Sequence, residues 1–110
     1  MDYVTYQRSA CDIIELSNQF NASTVNDVRS HFEHLIEDCS GDVLIDMSSV
    51  DELDSSGIGA LVFLYKRLKV EDRDLGLLGV NGKPDELLNM LRINQTIKQY
   101  ENIEEYLGKR

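Results

Sequence analysis

The run Val43-Leu44-Ile45-Asp46-Met47 narrows what this chain can fold into more than any other segment. It is short, almost unbroken in its apolar character, and follows Ser40-Gly41, a pair suited to ending a helix. A strand with one wet face alternates polar and apolar residues, whereas a continuous run implies a strand covered on both faces. The segment is therefore predicted to lie centrally in a sheet.

Around it the apolar period switches between 2 and 3.6. Two alternating segments, near residues 3 to 8 and 11 to 17, predict an opening pair of strands, with Ile14 and Leu16 on the buried side of the second. A loop carrying Asn18, Asn21, Ser23 and Thr24 follows. Val25, Val28, Phe32, Leu35 and Ile36 then recur at helical spacing, and Thr24 with Asp27 resembles a loose capping box, so a helix should run to about Cys39. After the central strand, Ile58, Leu61, Val62, Tyr65 and Leu68 mark one face of a second helix. Leu75 to Val80 is another short strand. Lys83-Pro84-Asp85-Glu86 opens a third helix whose buried face is expected at Leu87, Leu88 and Leu91. Thr96 to Tyr100 closes the sheet and Asn102 to Leu107 forms a short last helix. The order β-β-α-β-α-β-α-β-α predicts an α/β fold, with a central mixed sheet of four to five strands and about four helices joined by right-handed crossovers.

A chain of 110 residues with 42% hydrophobic content fits one domain, residues 1–110, able to bury a core without metal or disulfide staples. Gly108-Lys109-Arg110 reads as a loose end. The net charge of −9, from 20 acidic and 11 basic residues, opposes binding to nucleic-acid phosphates or anionic membrane and favours a monomer when free. No stretch approaches the roughly 18 to 20 apolar residues of a membrane span, and the first residues lack the layout of an export signal, so a cytoplasmic location is expected. Cys11 and Cys39 have no C-x-x-C spacing and are expected to be reduced thiols.

Between the central strand and the second helix lies Asp54-Ser55-Ser56-Gly57-Ile58-Gly59. Ser and Asp cap helices because their side-chain oxygens accept the unpartnered N–H groups of the first turn. One such residue suffices, yet three stand in a row with two glycines leaving open backbone beside them. The surplus points to a hydroxyl presented to a partner, at the carboxyl end of a strand where functional loops of such sheets collect.

These residues resemble a known family. Leu44-Ile45-Asp46-Met47-Ser48 followed by Asp54-Ser55-Ser56-Gly57-Ile58-Gly59 looks like the "LDLS … DSSGLG" signature of the STAS domain, most closely that of the stand-alone bacterial anti-sigma factor antagonists, or anti-anti-sigma factors. Length and element order agree over residues 3 to 107. The resemblance implies a STAS-like fold and a phosphoprotein without catalytic activity, cofactor or metal. It implies that Ser56 is the phosphoacceptor of a partner Ser/Thr kinase, often itself the anti-sigma factor, with a PP2C-type phosphatase removing the phosphate. Asp54, Ser55, Ser56, Gly57 and Ile58, with Asn21 and Ser23 of the preceding loop, would then form the partner-binding face. Phosphorylation would switch that binding off in a transcription, stress-response or biofilm-type pathway. Other members serve as scaffold subunits of lipid-transport ABC assemblies without phosphorylation, which is the alternative role. The chain departs from the family in three places: Asn18-Gln19-Phe20-Asn21 replaces a pattern like "G-E-L-D", Arg92 stands where relatives commonly carry glycine, and Asp51-Glu52 make the approach to the serines acidic.

Other chemistry fits less well. Ser56 is not in G-x-S-x-G, and the only histidines, His31 and His34, lie together on the first helix, where their i, i+3 spacing suits a solvated face better than a metal. Asp46 lacks the acidic cluster and late lysine of a receiver domain. Gly57-x-Gly59 lacks the remainder of a dinucleotide fingerprint.

Overall fold

The computed structural model describes residues 3–108. Strands β1 (Tyr3–Arg8) and β2 (Cys11–Leu16) form an antiparallel hairpin, followed by a two-residue strand β3 (Gln19–Phe20) and helix α1 (Val25–Asp38). Next come β4 (Val43–Asp46), a two-residue β5 (Glu52–Leu53) and α2 (Ser55–Val70). The chain ends with β6 (Leu75–Leu78), α3 (Gly82–Met90), a 3-10 turn at Ile93–Gln95, β7 (Lys98–Tyr100) and α4 (Ile103–Gly108).

Five strands pair in the order β1-β2-β4-β6-β7, antiparallel only between β1 and β2, so β4 is central as its continuous apolar run predicted. The two faces of β4 meet different layers. Val43 and Ile45 join Ile14, Leu75 and Leu77 beneath α1, α2 and α3, in one core with Phe32, Leu61, Leu64 and Leu88. Leu44 turns the other way, with Ile13 and Leu78, against Ile103 and Tyr106 of α4. Truncating a fully buried leucine of the larger core, such as Leu61 or Leu64, costs about 2–5 kcal/mol in lost transfer energy plus cavity.

Several expectations are corrected. The stretch after β2 is not only loop: Gln19 and Phe20 pair in parallel with Glu52 and Leu53, forming a second, two-stranded sheet, and Phe20 is fully buried. Thr24 stands at the N-cap of α1 but does not cap it. Its hydroxyl accepts the Asn21 N–H instead, at 3.0 Å, and so is spent on the turn before the helix. The helix α3 stops at Met90, which leaves Leu91 50% exposed, outside the buried face it was expected to share with Leu88. Just beyond, Arg92 takes φ +60°, a left-handed conformation that favours glycine.

One buried cation holds the end of α1, which has no basic residue in its last turn. Arg73, 5% exposed, donates to the carbonyls of Leu35 (3.0 Å), Ile36 (3.3 Å) and Gly41 (2.8 Å) and pairs with Glu71 at 3.0 Å. The Leu35 and Ile36 carbonyls belong to the last turn of α1, where intrahelical partners run out, and Gly41 lies in the loop that follows.

The β1–β2 hairpin turns through Ser9 (φ 52°) and Ala10 (φ 67°), two positive-φ residues between paired Arg8 and Cys11. That is the backbone of a type I′ turn, which favours Asn-Gly because other residues crowd their own Cβ there. Replacing Ser9 and Ala10 together by Asn and Gly is expected to stabilise the protein by about 0.5–1 kcal/mol. Urea denaturation checks this; an unchanged or lower midpoint contradicts it.

Candidate functional site

The parallel strands deliver the chain to one edge of the molecule. β4 ends at Asp46, whose Oδ1 accepts both the N–H (2.9 Å) and the hydroxyl (2.7 Å) of Ser48, turning the chain away from the sheet. Met47 N–H still donates to Leu78 at 2.8 Å, and the Asp51 and Glu52 N–H groups donate to the Asn18 carbonyl at 2.9 and 3.1 Å. β3 and β5 thereby pin two loops side by side: the Asn18–Thr24 segment and the entry to α2.

Asp54 joins them. It is the N-cap of α2, with extended backbone, and its Oδ1 accepts the N–H groups of Ser56 (3.0 Å) and Gly57 (3.1 Å). Its other oxygen accepts the Ala22 N–H from the neighbouring loop at 3.1 Å. The N–H of Gly57 is the foremost cause holding this carboxyl below the usual aspartate range; burial pushes the other way, and the N–H groups of Ala22 and Ser56 add to the lowering. Asn21 braces the same loop from within. It is 7% exposed, donates its side-chain amide to Glu52 and accepts the Ser23 N–H at 3.0 Å.

Gly57 allows this closeness. A Cβ there would lie 2.5 Å from the Phe20 carbonyl oxygen and 2.8 Å from Leu53 Cδ1, so β3, β5 and α2 could not approach as they do. Gly59 is different, because a Cβ there would meet nothing within 4 Å. Its bareness serves no contact among the described residues.

With Asp54 capping the helix alone, the two serine hydroxyls are left over. Ser55 is exposed and Ser56 half-buried, and neither hydroxyl makes a hydrogen bond among the described residues. Of the other residues expected to form the face, Ser23 is exposed, whereas Asn21, Gly57 and Ile58 are buried and support it from beneath. His31 and His34 line a cavity of about 220 Å³ with Thr5, Gln7, Asp12 and Cys39, away from the serines. Among the described residues no group of three or more His, Cys, Asp or Glu could hold a metal ion, and no helix is long and apolar enough to cross a membrane. Residues that the sequence alone did not single out are Ala22, which contributes only its N–H, and Phe20, hidden in a two-residue strand.

Comparison with known proteins gives the same outline. Residues 2–106 match the model of the STAS domain family. A candidate anti-sigma factor antagonist of Thermotoga maritima superposes with a TM-score of 0.91 at 17% identity, covering 97% of this chain and 92% of that one. The phosphorylated form of the Bacillus cell fate determinant SpoIIAA gives 0.77 at 14% identity, over 99% and 100%. A sulfate transporter family protein of Wolinella succinogenes gives 0.75 at 18% identity, over 93% and 85%. At such identities these likenesses show a shared fold.

Asp54→Ala is expected to cost about 1–2 kcal/mol, the upper part of the range for losing a cap, because the Ala22 bridge goes with it. Asp54→Asn should cost less. Chemical denaturation of both variants tests this, and equal losses would contradict it. A second expectation concerns pH. Because the folded pKa of Asp54 lies below the unfolded one, the brace is fully present above the ordinary aspartate value of about 4 and is lost as pH falls through the lowered folded value. In an NMR titration the Asp54 carboxyl and the Ala22 and Gly57 amides should share one midpoint below that of a free aspartate. A midpoint at or above it would contradict the brace.

Proposed function

Because the chain belongs to the STAS domain family, we propose that it is a phosphorylation-controlled switch protein of bacterial signal transduction with no catalytic chemistry of its own. Unphosphorylated, it binds a Ser/Thr kinase or anti-sigma factor in the cytoplasm. Phosphate on Ser56 switches that binding off and a PP2C-type phosphatase restores it.

The observation that carries this is the uncommitted hydroxyl of Ser56 beside a cap that Asp54 completes unaided. A serine needed for capping could not be modified without damage to the helix; this one can. The phosphorylated form in which SpoIIAA is known supports the same chemistry on this fold. A phosphoserine adds about −1.5 to −2 charges and three acceptor oxygens. The helix N-terminus offsets only about 0.3–1 kcal/mol of that at an exposed site. Asp51, Glu52 and Asp54 already make this end acidic, so the new charge meets like charge and must be desolvated when a partner packs over it. A loss of about 3 kcal/mol at the interface weakens binding roughly a hundredfold.

Gly59 supports a face for close docking. A glycine inside a helix costs about 0.8–1 kcal/mol relative to alanine, and nothing among the described residues touches the space it leaves. A scaffold role in a transporter assembly, such as a lipid-transport ABC complex, is the second reading, favoured by the likeness to a sulfate transporter family protein. It needs no phosphate on Ser56.

Ser56→Ala is expected to stay folded and to retain a partner from host extract, whereas Ser56→Asp retains it poorly. Equal affinity of both variants, measured by calorimetry against the captured partner, would contradict the switch. Peptide mapping of protein isolated from its host should find phosphate at Ser56 under some growth condition, and its absence under all of them would favour the scaffold role. Gly59→Ala should raise the melting temperature while weakening the same partner; an unaltered affinity would remove Gly59 from the docking face.

A further inference from the structure

The outward face of α2 changes character along its length. Residues 55–70 contain no acid, in a chain that has 20, and they carry Lys66, Arg67 and Lys69. At 100° per residue, Ser56, Gly59, Phe63, Arg67 and Val70 project from one side of the helix. Val70 is 85% exposed.

Phe63 carries two guanidinium groups. Arg67 Cζ lies 5.6 Å from the ring centroid and Arg29 Cζ, from α1, lies 5.2 Å from it. Neither arginine forms an ion pair with a carboxylate among the described residues. The helix dipole accounts for Arg67 and Lys69 in the last turn of α2. It does not account for Arg29, which reaches the same ring from another helix. Glu33 stands one helical turn from Arg29 and Glu71 one turn from Arg67, yet Glu71 is engaged by Arg73 and neither arginine is in direct contact with a carboxylate among the described residues. Two like charges therefore share one ring with their guanidinium edges open to an outside anion.

We propose that Arg29, Phe63 and Arg67 form an anchor for an acidic segment of the partner protein, so that the α1–α2 face recognises the partner at a second point besides the serine loop. This rests on the partner-switch function proposed above. Charge complementarity sets the chemistry: guanidinium groups take carboxylates in a planar, paired fashion, and Phe63 and Val70 offer apolar contact beside them. The seven steps from Ser56 to Phe63 span about 10 Å along the helix. The anchor thus holds the partner at a fixed distance from the hydroxyl and opposes docking in the reverse sense, which would set acids against Asp51 and Glu52.

Hexaglutamate and hexalysine serve as defined probes. In an NMR titration at low salt, hexaglutamate is expected to shift the signals of Arg29, Phe63 and Arg67 despite the overall negative charge, while hexalysine leaves them in place. The Arg29→Gln/Arg67→Gln double variant, shown to be folded by its unchanged melting profile, should lose the hexaglutamate response. No shift at these residues, or an equal response of the double variant, overturns the anchor. The partner retained by Ser56→Ala gives the second arm: the double variant should bind it about tenfold more weakly at low salt, with the difference shrinking at high salt, and Lys98→Gln should bind as the parent does. Undiminished binding by the double variant overturns the anchor whatever the peptide shows. If Ser56→Ala retains no partner, the switch reading falls, and the hexaglutamate titration alone decides whether the cationic site exists.

Discussion

The carboxylate of Asp54 is the interaction on which the site depends. One oxygen closes the first turn of α2 and the other holds the Ala22 N–H of a loop 32 residues earlier. A neutral cap such as serine has a single oxygen and could serve the helix, but could not also reach the neighbouring loop with a second acceptor. Asp54 therefore couples the geometry of the Asn18–Thr24 segment to the start of the helix, and the parallel β3–β5 pair and the approach allowed by Gly57 keep the coupling short. Ser56 joins this brace through its N–H, while the hydroxyls of the two serines take no part in it.

The larger sheet supplies the rigid base. Parallel strands β4 and β6 are locked in register from Val43 with Leu75 to Asp46 with Leu78, and the Met47 N–H extends this pairing one residue beyond the strand. Everything after Met47 can leave the sheet because Asp46 and Asn81 take over the turning backbone: Asp46 accepts from Ser48, and Asn81 donates to the carbonyls of Ser48 and Gly79. An exposed loop placed by buried strands can present a side chain accurately while remaining accessible.

How much of this was legible follows from what each residue must do. The central strand was readable because burial on both faces leaves no alternative to a continuous apolar run, and the helices because each has one face against the sheet. The serine motif was readable through its surplus of capping residues. The β3–β5 pair was not, since two residues establish no period and Gln19-Phe20 sits among loop-forming neighbours. Asn21 looked like part of an exposed loop; its burial follows from side-chain bonds to residues near in sequence and to Glu52, 31 residues away. Arg73 was hidden by its company, for Glu71-Asp72-Arg73-Asp74 reads as a solvated turn until the carbonyls at the end of α1 are seen to converge on it. Leu91 failed as a core residue because the helix ends one residue before it.

The same brace bears on what a phosphate at Ser56 would meet. Helix N-termini attract anions because their first N–H groups lack partners, but here those of Ser56 and Gly57 are already taken by Asp54. A phosphate would gain the helix dipole without those donors and would face the Asp54 carboxylate across one residue. Displacing Asp54 would release the Ala22 N–H as well, so exchanging one anion for the other would loosen the neighbouring loop. Retaining Asp54 leaves the phosphate directed outward, where its charge is felt by whatever approaches. The low pKa of Asp54 favours this second outcome, because three N–H donors already stabilise the ionised cap. On this account a phosphate at Ser56 would alter the surface that a partner meets far more than the fold that presents it.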